Sequence, residues 1–87
     1  MVYVVKKDGT LEEFNVQKVV DAVGKSATRV LIKFTPEEEK FICQFVEERV
    51  AQLGLTEIQI YQMHNIVEGA LERGKPAVAK SYRDYCN

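Results

Sequence analysis

The sequence predicts a small α+β domain, a helical bundle of about four helices capped by a β-hairpin, and three observations carry that expectation. Asp8-Gly9 separates two short runs rich in strand formers, a strong hairpin signal because Gly accepts positive φ cheaply. Thr35-Pro36-Glu37-Glu38 is a capping box with proline at the first helical position, directly ahead of apolar residues at helical spacing. Further on, apolar residues recur near every 3.6 positions, with stops at Gly54 and Gly74 and a restart at Pro76.

In chain order, Val2 to Lys7 and Thr10 to Phe14 are the strands, joined by a two-residue Asp8-Gly9 loop. Adjacent strand residues point to opposite faces, so at least one of Lys6 and Lys7 is expected on the covered side. Asn15 offers an N-cap for a first helix marked by Val16, Val19, Val20, Val23, Ala27, Val30 and Leu31. The second helix starts at Pro36, runs through Phe41, Ile42, Phe45, Val46, Val50 and Leu53, and stops at Gly54. Leu55 to Ile60 alternates weakly and is either a short third strand beside the hairpin or an extended connector. Met63, Ile66, Val67, Ala70 and Leu71 mark a third helix ending near Gly74, and Pro76 opens a fourth through Tyr82 and Tyr85. The chain stops inside that helix, which suggests a domain cut from a longer protein.

A chain of 87 residues is one domain, 1–87, with one small core and room for a single function. Its formal charge of −1 argues against bulk nucleic-acid binding, which needs many phosphates neutralised at once, but leaves room for one local phosphate group. No apolar run approaches a bilayer span and no signal peptide is visible, so no membrane partner and a cytoplasmic location are expected. Cys43 and Cys86 lack metal spacing and read as reduced thiols. Glu37, Glu38 and Glu39 sit in a first helical turn, where acids favour the dipole, and Tyr82 and Tyr85 share a helix face as packing residues. No catalytic triad, Gly-rich phosphate loop or HExxH motif is present, so no enzyme chemistry is expected of this chain.

The one constellation with chemical content is the hairpin running into the first helix. Asn15, Val16 and Gln17 are expected to present free backbone N–H groups beside Lys6 and Lys7, with Lys18 in the first turn. A first-turn lysine opposes the helix dipole unless an anion is bound there. The plainer alternative is that these lysines are solvated and pair with Glu12 and Glu13. Spacing alone favours that alternative slightly.

VVKKDGTLEEFNVQKVVDAV, followed after a helical spacer by EIQIYQMHNIVEGAL and then VAKSYRDY, resembles an ATP-cone over nearly the whole chain. That is the regulatory nucleotide-binding domain at the N-terminus of many ribonucleotide reductase catalytic subunits and in an associated transcriptional repressor. The resemblance implies ATP or dATP as ligand, with Mg2+ as its companion. Lys6, Lys7 and Lys18 are similar to the family's phosphate-binding cations. Glu12, Phe14 and Asn15 fall where the family holds adenine, with Val5 and Val19 lining the same pocket. Ile60 stands where many members carry Ser or Thr, and His64 where some members place a histidine near the sugar and phosphates. The implied parent is a reductase with this domain at its N-terminus, since Met1 leads almost directly into the first strand without the repressor's zinc segment. Its partners are then the rest of the reductase and its subunits, and their assembly responds to the nucleotide. The rival reading is a small protein–protein interaction module without nucleotide binding.

Overall fold

Residues 1–86 are described by a computed structural model, and they form β1 (Tyr3–Val5), β2 (Leu11–Glu13), α1 (Val16–Arg29), α2 (Pro36–Leu53), β3 (Glu57–Gln59), α3 (Ile60–Gly74) and α4 (Pro76–Cys86). The strand order is β2-β1-β3, with β1 antiparallel to β2 and parallel to β3. Of the two readings of Leu55 to Ile60, the short strand is therefore the one adopted. Register places Val4 between Glu12 and Ile58 in one cross-strand row. Val4 and Ile58 are buried on the helix-covered face, and the same row carries the Glu12 side chain to that face's edge.

The hairpin loop differs from the two-residue expectation. Lys6 and Thr10 form the last rung, with Lys6 N–H donating to Thr10 O at 2.8 Å, and Gly9 N–H closes the turn on Lys6 O at 2.9 Å. Lys7, Asp8 and Gly9 thus make a three-residue loop in which Gly9 takes φ 87°. Asp8 Oδ1 stabilises it by accepting from Thr10 N–H at 3.0 Å and from the Thr10 hydroxyl at 2.7 Å. One consequence is that Lys7 is a turn residue and not a strand residue. Lys6, two positions from Val4, is the lysine on the covered side, at its rim.

Each helix buries the stripe its period dictates. Val19, Val23 and Ala27 come from α1; Ile42, Val46 and Val50 from α2; Met63, Val67, Ala70 and Leu71 from α3; and Val78, Ala79 and Tyr82 from α4. The helix α3 packs on both α2 and α4, and α1 closes the bundle against α4 and α2. A fully buried Val or Ile contributes about 1.5–3 kcal/mol, so the Val and Ile side chains with no exposure (Val46, Ile58, Val67 and Val78) anchor three helices and the sheet to one core. Buried Ser81 donates its hydroxyl to Ser26 O at 2.7 Å and so fixes α4 on α1 without an orphaned polar group.

Both predicted caps of α2 are present. Thr35 Oγ1 accepts from Glu38 N–H, the Glu38 carboxylate accepts from Thr35 N–H, and Gly54 ends the helix in the left-handed region. The same carboxylate receives Lys75 Nζ at 2.7 Å, which ties the α3–α4 joint to the start of α2 and holds the carboxyl of Glu38 below its ordinary value. The first helix is shorter than its apolar pattern implied. It ends at Arg29, leaving Val30 and Leu31 outside, with Leu31 93% exposed. Tyr82 is buried as expected of a packing residue, whereas Tyr85 on the same helix is exposed. Among the described residues, no helix is long and apolar enough to cross a membrane.

Candidate functional site

The sheet edge, the start of α1 and one side of α3 and α4 enclose a cleft of about 260 Å3. Its apolar wall comprises Val4, Phe14, Val19, Ala22, Ile60, Met63 and Tyr82; its polar rim comprises Lys6, Glu12, Glu13, Asn15, Lys18 and His64. Periodicity explains the rim. Lys6 and Glu12 share the Val4 face of the hairpin, and Lys18, Val19 and Ala22 share the side of α1 turned toward it.

Glu12 sits between the cations. Its Oε2 accepts from Lys6 Nζ at 3.1 Å, its Oε1 accepts from Lys18 Nζ, and the two lysines, Lys18 foremost, hold the carboxyl below its ordinary value. Lys7 and Glu13, which the plainer alternative also paired, make no ion pair among the described residues. Asn15 is the N-cap of α1: its side-chain oxygen accepts from Gln17 N–H at 2.9 Å. The expectation of a free Gln17 N–H is corrected accordingly, and Lys18 N–H is likewise taken by Asn15 O at 3.0 Å. The backbone N–H groups of Asn15 and Val16 make no hydrogen bond among the described residues and are the ones left to offer a ligand. No acid stands in the first turn of α1, so its positive end is opposed only by Glu12 from the neighbouring strand.

His64 stands on α3 one turn after Ile60, half-buried, with its ring edge-on to Tyr82 at 6.1 Å. Burial lowers its pKa and the charge of Lys7 lowers it further, so the imidazole is neutral near pH 7 and offers one donor and one acceptor. Lys7 thus makes itself felt from the turn, although it does not line the cleft. Val5 does not line it either. It is the odd-parity neighbour of Val4, so it points to the opposite face of β1. Ile60 is the first residue of α3, and the cap position belongs to Gln59, whose N–H donates to Gln62 Oε1 at 3.0 Å. Ile60 is therefore wall, not cap.

The structure brings together Lys6, Glu12, Phe14, Asn15, Lys18, Val19, Ile60 and His64 of the residues expected from sequence, and leaves out Val5 and Lys7. It adds Val4, Glu13, Ala22, Met63 and Tyr82. Signals for three of them existed. Val4 has the parity of Lys6, Ala22 lies one turn beyond Lys18, and Met63 lies one turn beyond Ile60. Tyr82 reaches the cleft only through the packing of α4, which local pattern does not encode. Chemically, two lysines held by one carboxylate, a neutral imidazole and an apolar wall suit a ligand with an anionic part for the lysines and a flat apolar body.

Residues 2–87 match the family model of the ATP cone domain. The chain is similar to an anaerobic ribonucleoside-triphosphate reductase of Haemophilus influenzae, 33% identical over 87 residues, which cover 94% of this chain and 12% of the reductase. The chain thus spans about one-eighth of that curated relative's length. With the family match extending over all but its first residue, the chain belongs to the ATP-cone family.

Proposed function

We propose that this domain senses adenine nucleotides, taking ATP or dATP in the cleft between the hairpin, α1 and the α3–α4 pair. The observation that carries the reading is the convergence of Lys6 and Lys18, at an α1 N-terminus without acids, on one rim of a cleft whose other side is apolar. The phosphates lie on Lys6 and Lys18, with Lys7 adding charge from the turn. The base lies against Phe14, Val19 and Ile60, with Glu12 and Asn15 at its polar edge. His64 faces the sugar and the first phosphates. Mg2+ enters on the phosphate oxygens of the nucleotide, as it does in solution. Val5, on the far face of β1, has no contact in this arrangement.

The role is regulatory and not catalytic: the domain reports nucleotide supply to a ribonucleotide reductase, with the remainder of that enzyme and its subunits as partners. ATP supports activity and dATP restrains it by altering subunit assembly. Family membership and the likeness to one end-to-end stretch of a reductase support this reading.

Thermal unfolding with ATP, dATP and GTP tests it, because a ligand that binds only the folded state raises stability by mass action. ATP and dATP are expected to raise Tm well above the GTP value. Equal shifts with all three would reduce the site to unspecific phosphate attraction, and no shift from a folded domain would favour a protein-interaction module.

A further inference from the structure

Both lysines of the cleft are engaged by one carboxylate. Lys6 donates to one oxygen of Glu12 and Lys18 to the other, and the Glu12 side chain is one-third exposed. A polyphosphate that reaches these ammonium groups must take them from Glu12. The carboxylate then loses both charged donors and is left to water and the neutral groups of the cleft. A ligand N–H delivered to it replaces a lost donor.

We propose that Glu12 couples the two halves of the ligand: a purine with an amino group at position 6, as in adenine, draws Glu12 off Lys6 and Lys18 and so opens the phosphate subsite. The inference rests on the reading of the cleft as a nucleotide site. Coupling of this kind is reciprocal, so phosphate binding also frees Glu12 to meet the base. A bare polyphosphate and a bare nucleoside each bind poorly, and each tightens the other. Hypoxanthine, with a carbonyl where adenine has its amino group, does not couple.

Titration calorimetry with inorganic tripolyphosphate, alone and with near-saturating adenosine or inosine, tests the proposal on wild type, Glu12→Gln and Glu57→Gln, with ATP on wild type as reference. Glu57 is an exposed carboxylate of β3 outside the cleft, so its variant controls for simple loss of negative charge. On wild type and Glu57→Gln, adenosine is expected to tighten tripolyphosphate by about fivefold or more, the lower end of ordinary coupling, and inosine to leave it unchanged. Glu12→Gln is expected to bind tripolyphosphate tighter by a similar factor with no response to adenosine. Circular dichroism on the same samples verifies that each variant is folded. Absence of coupling on wild type, or its persistence in Glu12→Gln, overturns the proposal. If ATP still binds wild type, the nucleotide site stands without it. A wild type that binds neither ATP nor tripolyphosphate removes both.

Discussion

At the scale of single residues, the cleft is set by charges placed where the fold alone would not choose them. Lys18 is the third residue of α1, where a cation opposes the helix dipole, and Glu12 offsets it from the adjoining strand. Exposed ion pairs of this kind add little to stability, so Lys6→Ala and Lys18→Ala are expected to leave the unliganded Tm nearly unchanged. Each is expected to weaken ATP binding by about tenfold to a hundredfold, the range for hydrogen bonds to charged groups, as read by titration calorimetry. A lowered apo Tm with intact affinity would make either lysine structural. His64 gives a pH signature of opposite origin. Burial, with help from Lys7, lowers its folded pKa, so on acidification below about 6.5 the unfolded chain takes up the proton first. Its contribution to stability is complete above that pH and is lost as pH falls through the lower folded value. Tm measured against pH is expected to fall more steeply below about pH 6.5 for wild type than for His64→Asn. Parallel curves would mean that the imidazole is protonated as easily in the fold as outside it.

At the scale of elements, the end of α1 shows where pattern and geometry part. Ile32 N–H donates to Ala27 O at 2.9 Å and Leu31 N–H to Thr28 O at 3.0 Å, the two bonds of a Schellman cap with Leu31 in the glycine position at φ 60°. A side chain there strains the backbone, and Leu31 buries almost nothing in return. Leu31→Gly is therefore expected to stabilise the domain by about 1 kcal/mol, and a lowered denaturation midpoint would show that the leucine makes a contact that offsets its strain. Gly74, at the end of α3, is the converse case. A Cβ there would come within 2.7 Å of Phe41 Cδ2 and 3.1 Å of Ile42 Cδ1, and Ile42 is buried. Gly74→Ala is expected to destabilise by about 1–3 kcal/mol through overpacking, and an unchanged midpoint would show that the Phe41 ring simply turns aside. What was legible in the sequence follows the same division. Caps, turns and periods are local, so Thr35, Gly54, Asn15 and Pro76 set their elements where expected. The extra loop residue at Lys7, the early end of α1 and the parity that favours Val4 over Val5 depend on rung and register. Those are settled by pairing across strands and helices, which a single sequence does not display. The site was legible for the same reason as the caps: most of its residues lie on one continuous stretch from Lys6 to Val19. Its far wall, Met63 and Tyr82, arrives from distant helices.

At the scale of the whole molecule, a domain spanning 12% of a reductase relative can influence a remote active site only by favouring one global state over another. A ligand with equal affinity for both states shifts nothing, so regulation through ATP and dATP requires the cleft to tell them apart. They differ by one 2′-hydroxyl, and discrimination must come from a side chain within its reach. In the proposed arrangement the lysines and Glu12 serve the phosphates and the base. Ile60, at the first position of α3, has no hydroxyl to offer. His64 is the neutral, half-buried polar group that α3 brings to the cleft, with its ring edge-on to Tyr82. A neutral hydrogen bond to the 2′-hydroxyl is worth about 0.5–1.5 kcal/mol, enough for a ratio between a few-fold and about tenfold. His64→Ala is accordingly expected to bring the dATP and ATP affinities together by that factor while weakening neither by more. In a full-length reductase carrying this domain the same substitution is expected to blunt the dATP-driven change of assembly proposed above. Calorimetry of both nucleotides on wild type and variant reads the first effect, and size-exclusion chromatography of the parent with each nucleotide reads the second. An unchanged ratio with unchanged assembly would remove His64 from the mechanism and transfer discrimination to the backbone at the start of α3, where the N–H groups of the first turn are the remaining donors facing the same wall.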